Sequence, residues 1–405
     1  MKSSLAINGG KKIISDKLAK SIPSWPPIYP DTAEKLKDVY LHPKWSFNGP
    51  NEQLFSKKFA KYHTAEYGIF MANGTVTLEC ALHALGVGKG DEVIVPALTW
   101  IATAMAVIYV GATPVFVDIE EDTLCLDPEK IKKAITPKTK ALIPVHLYGS
   151  MADMEKIMAI AKKHNLYVIE DCAHAHGGVW NGKGVGSIGH VGSFSFQESK
   201  TLSSGEGGIC LTNDPVLKEK IFRIKHIGYA PNTKQGEASY SPQEGLICHN
   251  YRGTEFQAVV LLGGLKRLKA QTKKREQNAT LIRKLLKNTP GIKVQSRGRL
   301  ADIQGYYMLT FILDTKKLKE GITRKEIMEA LSAEGFGTGL TYGPVYKHAL
   351  WNIPKSKYRI ESNEVAEDLC SNRAICMSQS KLLAGSKYIK AACDAVNKVM
   401  KEYCK

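Results

Sequence analysis

The pattern of apolar and polar positions from about Tyr67 onwards alternates between short apolar runs and longer amphipathic ones. The runs EVIVP, TPVFVDI, KALIPVHLYG and LYVIED predict buried strands. Between them, WIATAMAVIYVG, DPEKIKKAI and DMEKIMAIAKKHN predict helices, and Asp127 followed by Pro128 is typical of a helix start. Apolar strands that alternate with helices of about a dozen residues indicate βαβ units. The sequence therefore predicts an α/β fold with a mostly parallel sheet covered by helices.

The pattern changes after Asp214, where residues 254–288 predict one long, basic amphipathic helix. Beyond Pro290, a strand at YYMLTFILD, a helix at TRKEIMEALSAEG and a final helix over about 386–403 predict a smaller α+β domain. We therefore expect an irregular segment over residues 1–50, a large cofactor-binding domain over 51–290 and a small C-terminal domain over 291–405. A chain of 405 residues agrees with such a division.

The composition narrows the classes of partner. The formal charge is +17, but the lysines are spread over amphipathic helical patterns, which is typical of a solvated basic surface. Without a known nucleic-acid motif, we expect no nucleic-acid partner. The first residues lack the apolar run of a signal peptide, and the apolar stretch 101–117 is broken and short, so we expect no membrane span. Nine cysteines without a C-x-x-C pair favour a reducing, cytoplasmic location.

Polar residues follow several predicted strands, at the edge where ligands bind in parallel sheets. Gly74 and Thr75 open a helix and predict a phosphate site, with simple N-capping by Asn73 or Thr75 as the alternative. Trp100 follows VIVP, where it could stack on a planar ligand or belong to the core. Asp171 ends a buried strand, and a carboxylate there requires a cation or a strong donor.

Two further motifs in this region are weak. Cys172, His174 and His176 could supply metal ligands, but no further ligand is evident, so we predict no metal site. The run GVGSIG (184–189) matches G-x-G-x-x-G, the fingerprint of dinucleotide binding. No apolar strand leads into it, and HVGSFSF after it predicts a strand rather than a helix. The context therefore disfavours dinucleotide binding.

Lys200 stands alone between GSFSFQES and TLSSGEGG, and the flanking strands look buried. Desolvation lowers the pKa of a lysine and leaves an amine that can attack a carbonyl. The candidate site thus contains a phosphate cup at Gly74 and Thr75, a stacking aromatic ring at Trp100, a buried carboxylate at Asp171 and a desolvated lysine. Together these groups match the needs of pyridoxal 5'-phosphate. In such a site the lysine forms an imine with the cofactor, and the carboxylate keeps the pyridine nitrogen protonated.

Over nearly its whole length the chain resembles the sugar aminotransferases of the DegT/DnrJ/EryC1/StrS family, which have the aspartate-aminotransferase fold. The segments that carry the resemblance include FNGPNEQLFSKKFAKYH, IPVHLYGSMADM, IEDCAHAHGG, GSFSFQESKTLSSGEGG and NYRGTEFQAVVLLGGL. The resemblance implies a pyridoxal phosphate-dependent transferase of fold type I. It also implies a homodimer with two shared active sites.

The resemblance assigns roles by position. Lys200 is similar to the lysine that binds the cofactor and then moves the proton, and Asp171 to the partner of the pyridine nitrogen. The remaining cofactor contacts that it implies are Gly74, Thr75 and Ser195 at the phosphate, Trp100 on the ring, His174 at the ring hydroxyl, and Asn250 at the phosphate of the neighbouring subunit. Trp45, His146 and Tyr342 are candidate substrate residues.

One position departs from most of the family, because His174 stands where most members carry glutamine. DCAHAHG with FSFQ, and the opening LAINGGKKI, are closer to the branch of the aminocyclitol aminotransferases and 3-amino-5-hydroxybenzoate synthase. A family member that acts as a C-3 dehydratase has histidine in place of the lysine, so Lys200 argues against that reaction.

The resemblance thus predicts transfer of an amino group from glutamate or glutamine to a keto-sugar or keto-cyclitol. The product would serve amino-sugar, aminocyclitol antibiotic or surface polysaccharide biosynthesis. Two alternatives remain open at this point. One is an aromatising dehydratase like 3-amino-5-hydroxybenzoate synthase, and the other is a non-catalytic binding or regulatory protein that keeps the fold.

Overall fold

The computed structural model describes residues 4–231, 233–234, 236–237 and 245–405. The α-helices of these residues are α1 (Asp16–Ala19), α2 (Pro30–Leu41), α3 (Pro50–Tyr62), α4 (Gly74–Ala84), α5 (Ile101–Tyr109), α6 (Pro128–Ala134), α7 (Met154–His164), α8 (Pro215–Lys225), α9 (Glu255–Leu286), α10 (Arg324–Ala333), α11 (Glu364–Asp368) and α12 (Ser386–Tyr403). The strands are β1 (Tyr67–Met71), β2 (Glu92–Pro96), β3 (Thr113–Val117), β4 (Thr139–Leu142), β5 (Tyr167–Asp171), β6 (Val179–Trp180), β7 (Lys183–Gly184), β8 (Val191–Ser195), β9 (Gly208–Thr212), β10 (Ile292–Val294), β11 (Ala301–Ile303), β12 (Met308–Leu313), β13 (Gly339–Leu340), β14 (Arg359–Ile360) and β15 (Ala374–Ser378).

Eight strands form the main sheet, in the order β1-β9-β8-β5-β4-β2-β3-β14. Strand β9 runs antiparallel to both of its neighbours, and every other pair in this sheet is parallel. The predicted α/β fold with a mostly parallel, helix-covered sheet is confirmed. Because β1, β2, β5 and β8 run in the same direction, their carboxyl ends lie along one edge of the sheet.

Helices cover both faces of the main sheet, which explains why its strands are apolar throughout. Val93 and Val95 of β2 pack into the core under α4, α5 and α8. Ile94 between them points to the other face, which α3, α6, α7 and the first half of α9 cover. A strand buried on both faces shows no alternation of apolar and polar residues.

The second half of the chain is built around α9. Thr254 and Gln257 form a capping box at its start, and the helix continues for 32 residues. Beyond it, β10, β12, β15 and β13 form an antiparallel sheet that packs with α10 and α12. However, β14 from the same part of the chain pairs with β3 at the edge of the main sheet. The division of the chain at residue 290 stays a prediction.

The N-terminal segment was expected to be irregular, and this is wrong for residues 30–41. Residues 30–41 form α2, which begins with Pro30 at its first position, where the missing N–H costs nothing. Leu5 and Ile14 are buried against the core of the small sheet. Residues 1–3 of the predicted segment lie outside the described residues.

The structure also bears on the membrane span and on the cysteines discussed above. Within the described ranges, no helix is both long enough and apolar enough to cross a membrane. All nine cysteines lie within these ranges, and each is a free thiol.

A buried ion pair joins the first helix of the large α/β region to the end of α8. The carboxylate of Glu52 in α3 accepts a hydrogen bond from the Lys225 ammonium, and both side chains are only 1% exposed. The second carboxylate oxygen of Glu52 accepts the N–H of Asn48 at 3.0 Å. Two charges can be buried in this way only as a pair, because either one alone would be desolvated without compensation.

We therefore expect Glu52→Gln to lower the free energy of unfolding by about 3 kcal/mol, since it leaves the Lys225 ammonium buried and uncompensated. The measurement is the midpoint of thermal unfolding followed by circular dichroism. The double variant Glu52→Gln/Lys225→Met should recover most of the loss. Glu129→Gln, which breaks an exposed ion pair with Lys132, is the matched control. Equal effects of Glu52→Gln and Glu129→Gln would contradict this account.

Candidate active site

A cavity of about 580 Å³ opens at the carboxyl edge of the main sheet. Its walls come from the loops that follow β1, β2, β5 and β8, together with residues near β12 and β13. Eight of the predicted site residues line it: Gly74, Thr75, Trp100, Asp171, His174, Ser195, Lys200 and Tyr342. The structure therefore brings together residues that are up to 268 positions apart in the sequence, between Gly74 and Tyr342.

Lys200 lies in the loop between β8 and β9 and is 8% exposed. Its ammonium nitrogen lies 4.6 Å from the centre of the Tyr307 ring. Burial lowers the pKa of the Lys200 amine to about 8, although the negative charges of Asp171 and Glu206 act in the opposite direction. An amine with this pKa is partly uncharged near neutral pH, so it can act as a nucleophile or accept a proton.

Asp171 is the last residue of β5 and is buried. Its Oδ2 accepts a hydrogen bond from the Thr103 hydroxyl at 2.8 Å, and its Oδ1 accepts the N–H of Ala173 at 3.1 Å. Burial raises the pKa of Asp171, while these hydrogen bonds and the charge of Lys200 act against the increase. The two bonds fix the orientation of the carboxylate, whose remaining need is a cationic or strongly donating partner.

The start of α4 and the end of β8 meet at the predicted phosphate site. Asn73 Oδ1 accepts the N–H groups of Thr75 and Val76, each at 3.0 Å, so the N-capping alternative is confirmed for Asn73. The contact with β8 requires glycine at position 74, because a Cβ atom there would lie 2.6 Å from the Cβ of Ser195. The close approach puts Thr75 and Ser195 in the wall of one cavity.

The ring of His174 is held between two tyrosines. Its centroid lies 4.2 Å from that of Tyr307 and 5.8 Å from that of Tyr148, with interplanar angles of 13° and 11°. His174 Nδ1 accepts the backbone N–H of Tyr148 at 3.2 Å. Burial lowers the pKa of His174 well below its ordinary value, and the charge of Lys200 acts in the same direction. The neutral ring must therefore carry its proton on Nε2, a buried atom without a hydrogen-bond partner in the described chain.

Aromatic side chains form the outer wall of the cavity. Trp100 is 40% exposed, and its ring centroid lies 5.3 Å from that of Tyr342. The backbone N–H of Tyr342 donates to the Tyr148 hydroxyl at 2.7 Å, which ties this wall to the loop after β4. Of the three candidate substrate residues, Trp45, His146 and Tyr342, the structure places Tyr342 in the wall of this cavity.

The other two candidate substrate residues lie elsewhere. His146 is fully buried: its Nε2 contacts Glu170 Oε2 at 3.2 Å, and its Nδ1 accepts the N–H of Ala152 at 3.2 Å. The predicted substrate contact is therefore wrong for His146, because both ring nitrogens are used inside the fold. Trp45 lines a separate cavity of about 500 Å³ together with Phe47 and His226, and does not line the main one.

Asn250 is exposed, and it is bridged to His226 rather than placed in the wall of the main cavity. This location is compatible with a contact to a second subunit. That contact stays a prediction, since the structure describes a single chain.

The two weak motifs are used within the fold. His176 Nε2 donates to the Ser195 carbonyl at 2.8 Å, and Cys172 Sγ donates to the Glu170 carbonyl at 3.6 Å, so these side chains do not converge with His174. In GVGSIG, the N–H groups of three residues donate to the Glu170 carboxylate. They are Gly186 at 2.9 Å, Ile188 at 2.8 Å and Gly189 at 2.7 Å. The glycine-rich loop thus binds an anion that the chain itself supplies.

Among the residues of the site that were not found from the sequence are Thr103, Tyr148 and Tyr307, which contact the predicted ones. Thr103 lies one turn into α5, in an apolar run that showed only a buried helix. Tyr148 has a positive φ of 58°, and the run HLYGS gives a turn signal only through its glycine. Tyr307 precedes β12, and its hydroxyl lies 2.9 Å from Ser199 Oγ. Its position next to Lys200 depends on long-range packing and leaves no local signal.

The residues in the cavity fit pyridoxal phosphate by their chemistry. The cofactor is an anionic, planar pyridine with an aldehyde and a ring hydroxyl. Among the described residues, the cavity offers a buried amine with a lowered pKa, a buried carboxylate that lacks an ion-pair partner, and a buried imidazole Nε2 without a hydrogen-bond partner. It also contains the Thr75 hydroxyl at the start of α4, where anions bind, and the Ser195 hydroxyl at the end of β8.

Comparisons with known proteins identify the same class. Residues 28–393 match the DegT/DnrJ/EryC1/StrS aminotransferase family. L-glutamine:2-deoxy-scyllo-inosose aminotransferase of Micromonospora echinospora is 36% identical over 98% of this chain and 97% of its own. The enzyme of the same name from Streptomyces kanamyceticus is 37% identical over 88% of this chain and 84% of its own. The crystal structure of 3-amino-5-hydroxybenzoic acid synthase matches with a TM-score of 0.84 and 31% identity, and covers 94% of this chain and 99% of the other.

The fold and the site therefore define a pyridoxal phosphate-dependent aminotransferase of fold type I. Within that class, the chain belongs to the DegT/DnrJ/EryC1/StrS aminotransferase family.

The electrostatics of the cavity can be tested on the cofactor-free protein. We expect the Lys200 amine to titrate with a pKa of about 8, and Asp171→Asn to lower this pKa further, because the carboxylate stabilises the ammonium form. The measurement is the pH dependence of amine modification, quantified at Lys200 by peptide mass spectrometry. The exposed Lys183 serves as the internal reference. A higher Lys200 pKa in Asp171→Asn than in the unmodified protein would contradict the proposed coupling.

Proposed function

We propose that this aminotransferase moves the amino group of glutamine to a ketone of a cyclitol, in the biosynthesis of an aminocyclitol. The observation that carries the proposal is the buried Lys200 amine beside Asp171 in a chain that is similar end to end to glutamine:keto-cyclitol aminotransferases. Glutamate as donor and a keto-sugar as acceptor are the nearest variants of the same reaction. DesI, which was solved in the presence of its TDP-sugar product, shares the fold with a TM-score of 0.80 and 26% identity.

In this proposal Lys200 would hold the cofactor covalently, and its free amine would take a proton from the substrate carbon and return it. The bound cofactor supplies an electron sink for the carbanion that proton removal creates. A lysine with a pKa of about 8 suits the transfer, because it can accept and return a proton near neutral pH. The Lys200 amine lies 4.6 Å from the centre of the Tyr307 ring, and this contact restricts the positions that the free amine can reach.

The proposed cofactor contacts of Asp171 and His174 follow from the ionic or hydrogen-bond partners that these side chains lack among the described residues. Asp171, already oriented by Thr103, would hold the proton on the pyridine nitrogen and thereby gain the cationic partner that its burial demands. His174 would donate its Nε2–H to the ring oxygen. The proposed phosphate contacts are Gly74, Thr75 and Ser195, and Trp100 is the proposed stacking residue.

The acceptor would occupy the outer part of the cavity. Tyr342 and Trp100 offer aromatic faces there, against which the C–H groups of a six-membered ring can pack. Gln197 and Ser199, which also line the cavity, could bond the hydroxyl groups of the ring. We propose these four residues, without His146, as the acceptor site.

A homodimer in the cytoplasm completes the proposal. Asn250 is exposed away from its own cavity, which supports a contact with the cofactor phosphate of a second subunit. Nine free thiols, seven of them buried, support a reducing compartment.

A second candidate function is favoured by one comparison. 3-Amino-5-hydroxybenzoic acid synthase shares 31% identity over 94% of this chain, and its name states a different product. Incubation with aminodehydroshikimate, followed by product analysis, separates that dehydration from amino transfer. A non-catalytic role is disfavoured by the retained Lys200 and Asp171.

The amino transfer predicts a spectroscopic result. When glutamine alone is added to the cofactor-loaded protein, we expect the visible absorbance to fall as the amino group is transferred. Subsequent 2-deoxy-scyllo-inosose should restore it. Lys200→Ala should show neither change, whereas Lys183→Ala, at an exposed lysine, should behave as the unmodified protein. A visible absorbance that neither glutamine nor glutamate alters would refute amino transfer from these donors.

The donor role of His174 predicts a difference between two substitutions. His174→Gln keeps an N–H donor and should bind pyridoxal phosphate within about threefold of the unmodified protein. His174→Leu removes the donor and should weaken binding about tenfold, as expected for one buried hydrogen bond. Both dissociation constants are measured by absorbance titration of the cofactor-free proteins. Equal weakening in the two variants would show that ring stacking, and not the Nε2–H group, is what matters.

A further inference from the structure

Helix α4 continues the wall of the cavity with a row of polar residues on one face. Thr75, Glu79 and His83 are spaced four residues apart, which places them above one another along the helix. His249 and Tyr251, shortly before α9, lie against this face. Neither His83 nor His249 takes part in the proposed amino transfer.

The carboxylate of Glu79 and the imidazoles of His83 and His249 lie close together. One carboxylate oxygen of Glu79 and one ring nitrogen each of His83 and His249 lie within 4.8 Å of one another. The distance from His83 Nε2 to Glu79 Oε1 is 3.9 Å. A tetrahedral zinc ion with bonds of 2.0–2.1 Å holds its ligand atoms about 3.4 Å apart. Small side-chain rotations are therefore enough to bring the three atoms onto one ion.

Tyr251 supports two of the three side chains. Its hydroxyl donates to Glu79 Oε1 at 3.0 Å, and its ring stacks on that of His249 with a centroid distance of 4.7 Å and an interplanar angle of 10°. Such outer contacts orient the ligands of metal sites. His249 Nε2 is buried and has no hydrogen-bond partner in the described chain. An imidazole nitrogen in this state is available to an ion.

A second cluster of possible ligands lies in the core, and its carboxylate already has hydrogen-bond donors from the chain itself. His146, Glu170 and Cys172 also bring ligand atoms within 4.8 Å. There the Glu170 carboxylate already accepts three backbone N–H groups, and all three side chains are fully buried. By contrast, the side chains of His83 and Glu79 remain 17% and 11% exposed, so an ion can enter.

We propose that Glu79, His83 and His249 bind one divalent transition-metal ion, with zinc as the best match. Two imidazoles and one carboxylate are a ligand set that zinc uses, and water would complete the coordination. Because Glu79 also lines the active-site cavity, the ion would offset its negative charge near the phosphate cup. The site would thus act on the charge of the cavity rather than on the reacting atoms.

The test uses the full-length chain without a polyhistidine tag, freed of metal by dialysis against a chelator and titrated with Zn²⁺ by isothermal calorimetry. We expect one ion per chain. His83→Ala and His249→Ala should each weaken binding by on the order of 100-fold, and Tyr251→Phe by about tenfold, as for other supporting residues. His164→Ala, at an exposed histidine, should bind as the unmodified protein.

X-ray absorption of the zinc-loaded protein distinguishes this site from binding by thiols. Nitrogen and oxygen neighbours without sulfur would support the proposal, and a sulfur neighbour would overturn it. The absence of saturable binding, or equal affinity in His83→Ala, would overturn it as well. Circular dichroism of each variant shows whether it is folded, and Tyr251→Phe, which removes a single oxygen atom, keeps the test decisive if an alanine variant unfolds.

Discussion

The burial of charge at the carboxyl edge of the main sheet is the constraint on which the site depends. Glu170 and Asp171 are consecutive residues of β5, and both are buried, so their side chains point to opposite faces. The fold satisfies Glu170 completely, with His146 and the N–H groups of the GVGSIG loop. From the described part of the chain the Asp171 carboxylate accepts only the Thr103 hydroxyl and one backbone N–H, and it faces the cavity. One carboxylate is thus structural, and its neighbour is left for a ligand.

The same desolvation acts on Lys200 and links the chemistry to distant parts of the chain. The backbone carbonyl of Lys200 accepts the indole N–H of Trp25 at 3.1 Å, so the N-terminal segment holds the lysine loop. From the other side, Tyr307 lies under the Lys200 amine and bonds Ser199. Both contacts help to exclude water, and water exclusion is what lowers the pKa of the amine. The reactivity of Lys200 is therefore a property of the whole fold.

The sequence predicted the features that depend on local pattern, and missed those that depend on packing. The strands, the ends where they stop, and the roles of Lys200 and Asp171 as site candidates follow from apolar runs and isolated polar residues. His146 was a candidate substrate residue, but it is fully buried and its Nε2 contacts the Glu170 carboxylate. Helix α2 was hidden by the prolines and tryptophan around it, although Pro30 is a good first helical residue. The cluster of Glu79, His83 and His249 could not be predicted, because only the fold brings His249 to the other two residues.

The resemblance implies glutamine at position 174 in most members, and the aromatic residues around His174 determine what this histidine can donate. An amide group can rotate to offer either its oxygen or its N–H₂, whereas the imidazole of His174 is clamped between Tyr148 and Tyr307. The Tyr148 N–H occupies Nδ1, and the low pKa keeps the ring neutral, so only Nε2–H remains to donate. The two tyrosines thus convert a residue with several hydrogen-bonding states into a donor with one. With its ring held in this way, His174 offers the Nε2–H group as a donor inside the cavity.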